Sequence, residues 1–367
     1  MSDAPRAPID WGLAKRMSAG LASFEMLGRG DATLPIDRDW MIETSREVEP
    51  LIVAATGLEP VRELAPAELI GREEWIDVAL VSLKDATSVV EAALARSGNA
   101  EAAAGPAALR PFVAAIAAAE IAAALGLIAR KVLGQYDIAL VGPDRPPRLL
   151  YVEPNLLGTI AELGFERAHF LRWVALHEVT HAVQFSSVPW LREHLSAMVS
   201  ELIDGTSRHV GGEGGSSLIS KLASAPRETA RAAIRGELVN ALAGPENAAL
   251  LDRIQATMAV VEGHAEWTMD VADEAGEFAP LREGLEQRRD RGGLAAAVLR
   301  MLGFEQKLRQ YRLGRAFCLD VVAGGGPHAL RAVWDGPENL PTLAELEAPD
   351  EWRARIAATE PAHPSSA

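Results

Sequence analysis

FLRWVALHEVTHAVQF, residues 170–185, is the stretch on which the reading of this chain turns. No Pro or Gly interrupts it, so nothing in it breaks a helix, and its apolar residues cover the helix face that would pack on a core. Side chains four apart on a helix share a face, which sets His177 beside His181. Two imidazole nitrogens at that spacing suit a single metal ion. Glu178, adjacent to the first, is placed to act as general base on a water held there. The competing reading is a pair of purely structural histidines.

A hydrolytic zinc site needs a third protein ligand and an open position for water. One familiar continuation of the motif would put Gly at 184 and His at 187, but the chain has Gln184 and Ser187 there, which excludes that subclass. The better source is VEGHAEW, residues 261–267, inside a predicted helix that could pack antiparallel to the motif helix. Glu262 is the preferred ligand. Gly263 beside it removes a side chain where two helices need close approach. His264 is the rival, and it points about 200° around the helix from Glu262, so the two exclude each other. Glu266 and Asp270 follow Glu262 at one-turn intervals. Either could accept a hydrogen bond from the outer nitrogen of a ligand histidine, or be ordinary solvated helix charge. For the oxyanion of an acyl-transfer step, Tyr311 is the candidate donor by its order along the chain, with Arg312 and His264 as substitutes. It reads as a core aromatic before it reads as that donor. Trp173 and Trp190 flank the motif and read as core packing before pocket lining.

Outward from this site, the pattern is helical. Alanine-rich runs and only 5% aromatic residues favour helices over a large sheet, so the expected fold class is mainly α with a small β-sheet or hairpin. Helices are predicted over residues 10–27, 38–56, 73–95, 107–133, 157–163, 166–185, 190–203, 248–271 and 304–322. Gly134 reads as the C-cap of the fourth. YDIALV (136–141) and RLLYV (148–152) read as strands of a hairpin around the turn-forming GPDRPP. The hairpin either covers the motif helix or offers its edge to an extended substrate. Residues 97–105 and 211–217 read as small-residue loops, the latter at the rim of the site. The expected organisation is a helical lobe over 1–134, a catalytic region over 135–358 packed against it, and a disordered tail from 359.

The whole-chain balance narrows the partners. With 36 Lys and Arg against 51 Asp and Glu, the net charge of -15 repels nucleic acid and anionic lipid. Cys318 is the one cysteine, so no intrachain disulfide forms and a metal must be held by His and carboxylates. The first thirty residues contain no apolar core of signal-peptide length, and a cytoplasmic location is expected. Residues 111–129, PFVAAIAAAEIAAALGLIA, are long enough to test for membrane insertion. Alanine contributes little to insertion and Glu120 sits mid-segment, so a buried helix is expected and no membrane partner.

Several separated segments together carry a family resemblance: IDWGLA (9–14), LGQYDIAL (133–140), WVALHEVTHAVQF (173–185), PWLREHL (189–195), EGHAEWTMD (262–270), FEQKLRQYRLGRAF (304–317) and LPTLAELEAPDEW (340–352). In these the chain resembles a bacterial family of zincin-like proteins, linked through gene neighbourhood to biosynthesis of a deazaflavin coenzyme. That link concerns neighbourhood and implies no deazaflavin binding. The resemblance implies a zincin-like metallopeptidase fold of the minimal gluzincin type. In it, one Zn2+ would be held by His177, His181 and the Glu262 of an E-G-x-A element, with Glu178 as the base. A peptide or protein substrate would follow. The alternatives are a non-catalytic scaffold that keeps the fold, or a metal-dependent hydrolase of another amide or ester.

Overall fold

A computed structural model of the chain describes residues 9–23, 34–96, 110–211, 247–273, 276–290 and 304–359; for 93–96, 110–113, 207–211, 286–290, 304–311 and 359 only the backbone is described. The loops expected at 97–105 and 211–217 and the tail after 359 lie outside, or almost wholly outside, the described residues. Helices dominate, in the order α1 (Trp11–Ser23), α2 (Arg38–Thr56), α3 (Arg72–Arg96), α4 (Arg110–Ile128), α5 (Glu153–Leu163), α6 (Arg167–Ser187), α7 (Pro189–Gly211), α8 (Ala248–Ala272), α9 (Ala279–Asp290), α10 (Phe304–Arg331), α11 (Leu343–Glu347) and α12 (Pro349–Thr359). The sheet has three strands, β1 (Ala67–Ile70), β2 (Gly134–Asp137) and β3 (Arg148–Val152), in the order β1-β3-β2.

Local chemistry sets the helix limits. Asp37 caps α2, its carboxylate accepting from the N–H groups of Asp39 and Trp40 at 2.9 and 3.2 Å. The helix stops at Gly57, where φ is 66°, a left-handed turn that glycine adopts without strain. Glu166 caps the motif helix α6 in the same way, accepting from Ala168 and His169. Along α2 the buried residues Met41, Ser45, Val48 and Ile52 fall at helical spacing and form one face. The motif helix behaves differently. Its buried residues run from Phe170 to Ser186 around nearly its whole circumference, so α6 is a central helix and not, as expected, a helix with one core-facing side.

The sheet divides two cores. β3 is central, parallel to β1 and antiparallel to β2, with Tyr136 opposite Leu149 and Gly134 opposite Tyr151. Side chains alternate across a strand. Leu149 and Tyr151 therefore face a large core built from α2, α6, α7, α8 and α10, while Leu150 and Val152 face a smaller one with α1, α3 and α4. Helix α4, the alanine-rich segment, is not buried throughout as expected: Ala118, Ala122 and Gly126 form a buried stripe, with a Cβ at Gly126 falling 2.6 Å from the Leu21 Cβ of α1, while Ile116, Glu120 and Ala123 are exposed. Among the described residues no helix is long and apolar enough to cross a membrane.

The sheet and its flanks correct further expectations. β1 was not foreseen; its short AELI sequence becomes a strand because β3 offers it a parallel partner, reinforced by the bidentate hydrogen bonds of Arg148 to Glu68 at 2.9 and 2.7 Å. The expected strand over 136–141 instead spans Gly134–Asp137, because β3 begins at Arg148, the partner of Asp137, and supplies nothing further for residues 138–141 to pair with. Gly134 consequently opens a strand instead of capping α4, which ends at Ile128.

Candidate metal centre

The motif residues meet Glu262 between α6 and α8, where all three side chains are partly exposed. His177 and His181 extend from adjacent turns of α6 with Nε2 atoms 3.3 Å apart. The Glu262 Oε2, from α8, lies 3.6 Å from the first and 3.4 Å from the second. A tetrahedral zinc with bonds of about 2.0–2.1 Å spaces its donor atoms about 3.3–3.4 Å apart, so the three atoms fit that ion in number, type and separation. They are the one group of this kind among the described residues. His264 is not part of it.

A close crossing of two helices positions Glu262. At Gly263 an added Cβ would come within 2.1 Å of the Gly314 carbonyl carbon on α10, and at Gly314 within 1.8 Å of the Ala259 carbonyl oxygen. Any side chain at either glycine would separate α8 from α10. The close approach anticipated at Gly263 is thus present, and the partner backbone is that of α10.

Glu178 is 8% exposed and lies across Gly134 at the start of β2. A Cβ there would be 2.6 Å from its Cγ and 2.9 Å from its Oε1, so the absent side chain makes room for the carboxyl group. The backbone N–H of Tyr136 donates to it. Burial raises its proton affinity, and the Glu262 charge adds to this, against the opposing effect of His177 and His181. Burial also acts to raise Glu262, but the charge of His181 and the hydrogen bonds from both imidazoles hold it well below the usual carboxylate range. His177 responds in the opposite sense. Burial lowers it, yet the Glu262 hydrogen bond and the surrounding carboxylates, Glu178, Glu262 and Glu266, bring it to about 9. Proton affinity on the two carboxylates is therefore split, which suits one as an anionic ligand and the other as a proton carrier.

A model of the zincin-like metallopeptidase family matches residues 9–352. The chain belongs to that family. Membership places it among the hydrolases. Among solved structures it is similar to a protein from Chloroflexus aurantiacus, provisionally described as a hydrolase with a novel fold. That likeness has a TM-score of 0.66 and 26% identity, and covers 96% of this chain and 100% of the other. No curated protein matches the chain.

Within this zincin-like centre the remaining candidates take other places. His264 is buried, pushed down to about 3 by burial and by the His181 charge, and packs edge-on to Trp334 at 5.1 Å. Asp270 does not reach a ligand histidine: its carboxylate accepts from Arg282 and Arg315, and Glu266 pairs with Arg282 at 3.2 Å. The partner of His181 is Gln184, whose Oε1 is 2.9 Å from Nδ1. Spacing gave no sign of it, since an amide one turn after a histidine has no distinctive pattern; Gln184 had served only to exclude a subclass. Trp173 stacks on Phe170 and Trp190 donates to the Trp334 carbonyl, so both are packed. Tyr311 lies on α10, with its side chain outside the described residues, while Arg312 is exposed on the same helix.

Proposed function

We propose that this chain is a zinc-dependent peptidase in which His177, His181 and Glu262 hold one Zn2+ and Glu178 is the general base. The observation that carries the reading is the convergence of three ligand atoms beside a buried carboxyl group of raised proton affinity. Bound zinc would polarise a carbonyl and lower the pKa of water towards about 7. Glu178, held against Gly134 and the Tyr136 N–H, takes a proton from the attacking water and delivers it to the leaving amine. Tyr311 is proposed as the donor to the oxyanion.

The substrate is a peptide or protein. β2 is an edge strand whose Gly134 touches the base, so an extended chain laid along it by main-chain pairing brings a peptide carbonyl to Glu178. A cavity of about 770 Å³ between α2 and the sheet is lined by Tyr136 and Val179 and by none of His177, Glu178, His181 and Glu262; we infer that it takes a substrate side chain to one side of the metal site. We place the protein in the cytoplasm, with neither nucleic acid nor membrane as partner.

Elemental mass spectrometry on purified protein, paired with a peptide-library digest, tests this. The expected result is near-stoichiometric zinc in wild type and Glu178→Gln, depletion in Glu262→Ala, and cleavage by wild type at a rate at least about 100-fold above Glu178→Gln. Absence of zinc, even after incubation with it, would leave a zincin-like scaffold without this chemistry.

A further inference from the structure

The geometry points to Gln184 as a positioning residue that fixes which nitrogen of His181 carries the hydrogen and thereby keeps its Nε2 lone pair aimed at the metal site. The inference rests on the reading of His177, His181 and Glu262 as metal ligands and adds a residue to it.

Gln184 is fully buried, and both hydrogens of its amide and its oxygen are engaged. Its Nε2 lies 2.9 Å from the backbone carbonyl of Val261 and 3.0 Å from Nδ1 of His264, while its Oε1 lies 2.9 Å from Nδ1 of His181. A carbonyl oxygen can only accept, and that decides the orientation of the amide. Turned the other way, the amide oxygen would face the Val261 oxygen in a buried site, two acceptors without a hydrogen between them. The NH2 group therefore faces Val261, and its second hydrogen goes to His264, whose Nδ1 must accept. Oε1 is then left to face His181 and can only accept from it. Nδ1 of His181 accordingly carries a hydrogen, and Nε2 is the nitrogen available to a metal.

This arrangement links the two ligand-bearing helices. Val261 is the residue before Glu262 on α8, so the amide that orients one ligand on α6 also grips the backbone beside the ligand on the other helix. A residue placed in this way acts on the metal through His181, and such outer partners typically change affinity by about 10–100-fold.

Two substitutions separate the roles. Gln184→Met keeps length and apolar volume but removes both acceptor and donors. Gln184→Glu keeps an acceptor towards His181 and loses the NH2 group that holds Val261 and His264. Proton NMR at the imidazole N–H region, with the His181 signal assigned by its loss in His181→Ala, is recorded on metal-free and zinc-loaded protein, and zinc affinity is titrated against a competing chelator. The expected result is a His181 Nδ1–H protected from solvent exchange in wild type and Gln184→Glu but not in Gln184→Met. Zinc affinity should fall about 10–100-fold in Gln184→Met and by less than about tenfold in Gln184→Glu. Wild-type affinity in Gln184→Met, an equal loss in both variants, or the lack of a protected Nδ1–H in wild type would overturn the assignment. Should the wild type bind no zinc, the metal site itself fails, while the exchange measurement on metal-free protein still decides the part played by Gln184.

Discussion

The two sides of the small sheet bury polar groups for different ends. On the side of α1, α3 and α4, buried polar atoms mainly close backbone: the Ser18 hydroxyl donates to Ala14 one turn back, and the Asn155 amide donates to the carbonyls of Ala129 and Val132 just beyond the end of α4, while its oxygen accepts from Arg72 of α3 at 2.8 Å. Around them lie alanine, isoleucine, leucine, valine and tryptophan. On the side of α6 and α8, side chains far apart in sequence face one another. Glu178, Gln184, His264 and the group of His177, His181 and Glu262 each meet a partner on another element. The first region rests mainly on apolar packing around a few such bonds, whereas the second depends on many polar groups satisfying each other, because an unpaired buried polar group costs about 1–3 kcal/mol.

Substitutions can break that contrast. The largest effect is expected from His181→Ala, which removes a ligand: zinc content should fall from near one per chain to background in elemental analysis, with no hydrolysis remaining. Retention of stoichiometric zinc in that variant would mean that the polar cluster is structural and that the two regions differ less than proposed. A smaller effect, on stability and not on metal, is expected from Leu150→Ala on the opposite face of β3. Leu150 is fully buried in the smaller core, and its truncation should destabilise the fold by about 2–5 kcal/mol in denaturant titration. Zinc affinity of the folded variant should stay within about twofold of wild type, since Leu150 faces away from the site. A larger loss of affinity would show that the sheet couples the two cores. The smallest of the three is Gly314→Ala, where one methyl group forces α8 and α10 apart. Overpacking of this kind costs about 1–3 kcal/mol, and because Glu262 adjoins the crossing, zinc affinity should weaken along with the melting temperature. A loss of stability with full zinc affinity would uncouple the crossing from the ligand.

The same contrast explains which parts were legible. Helices α2 and α3 lie where periodicity puts them, to within a residue at each end, because capping and apolar spacing are local. β1 was invisible because AELI neither alternates nor is rich in β-branched residues, and it depends on β3 for its hydrogen bonds. The strand at 134–137 was displaced from its expected place because Gly134 looks like a helix cap, whereas its true constraint is the Glu178 carboxyl group lying over it. In the site, Glu266 and Asp270 have the right spacing to support a ligand, but two arginines from α9 and α10 engage them first.

What this sequence determined by itself is the pairing of His177, Glu178 and His181. A helix rotates about 100° per residue, so positions one and four apart acquire their relation before any other part of the chain folds. For the third position the sequence could only prefer Glu262 to His264; tertiary structure decided that the Glu262 carboxylate lies against both imidazoles, and that Gln184 stands behind His181. Both depend on where α8 crosses α6 and α10, a distance set by two glycines on different helices and by one backbone carbonyl. No spacing within a single segment encodes that distance, because it exists only once the helices have packed.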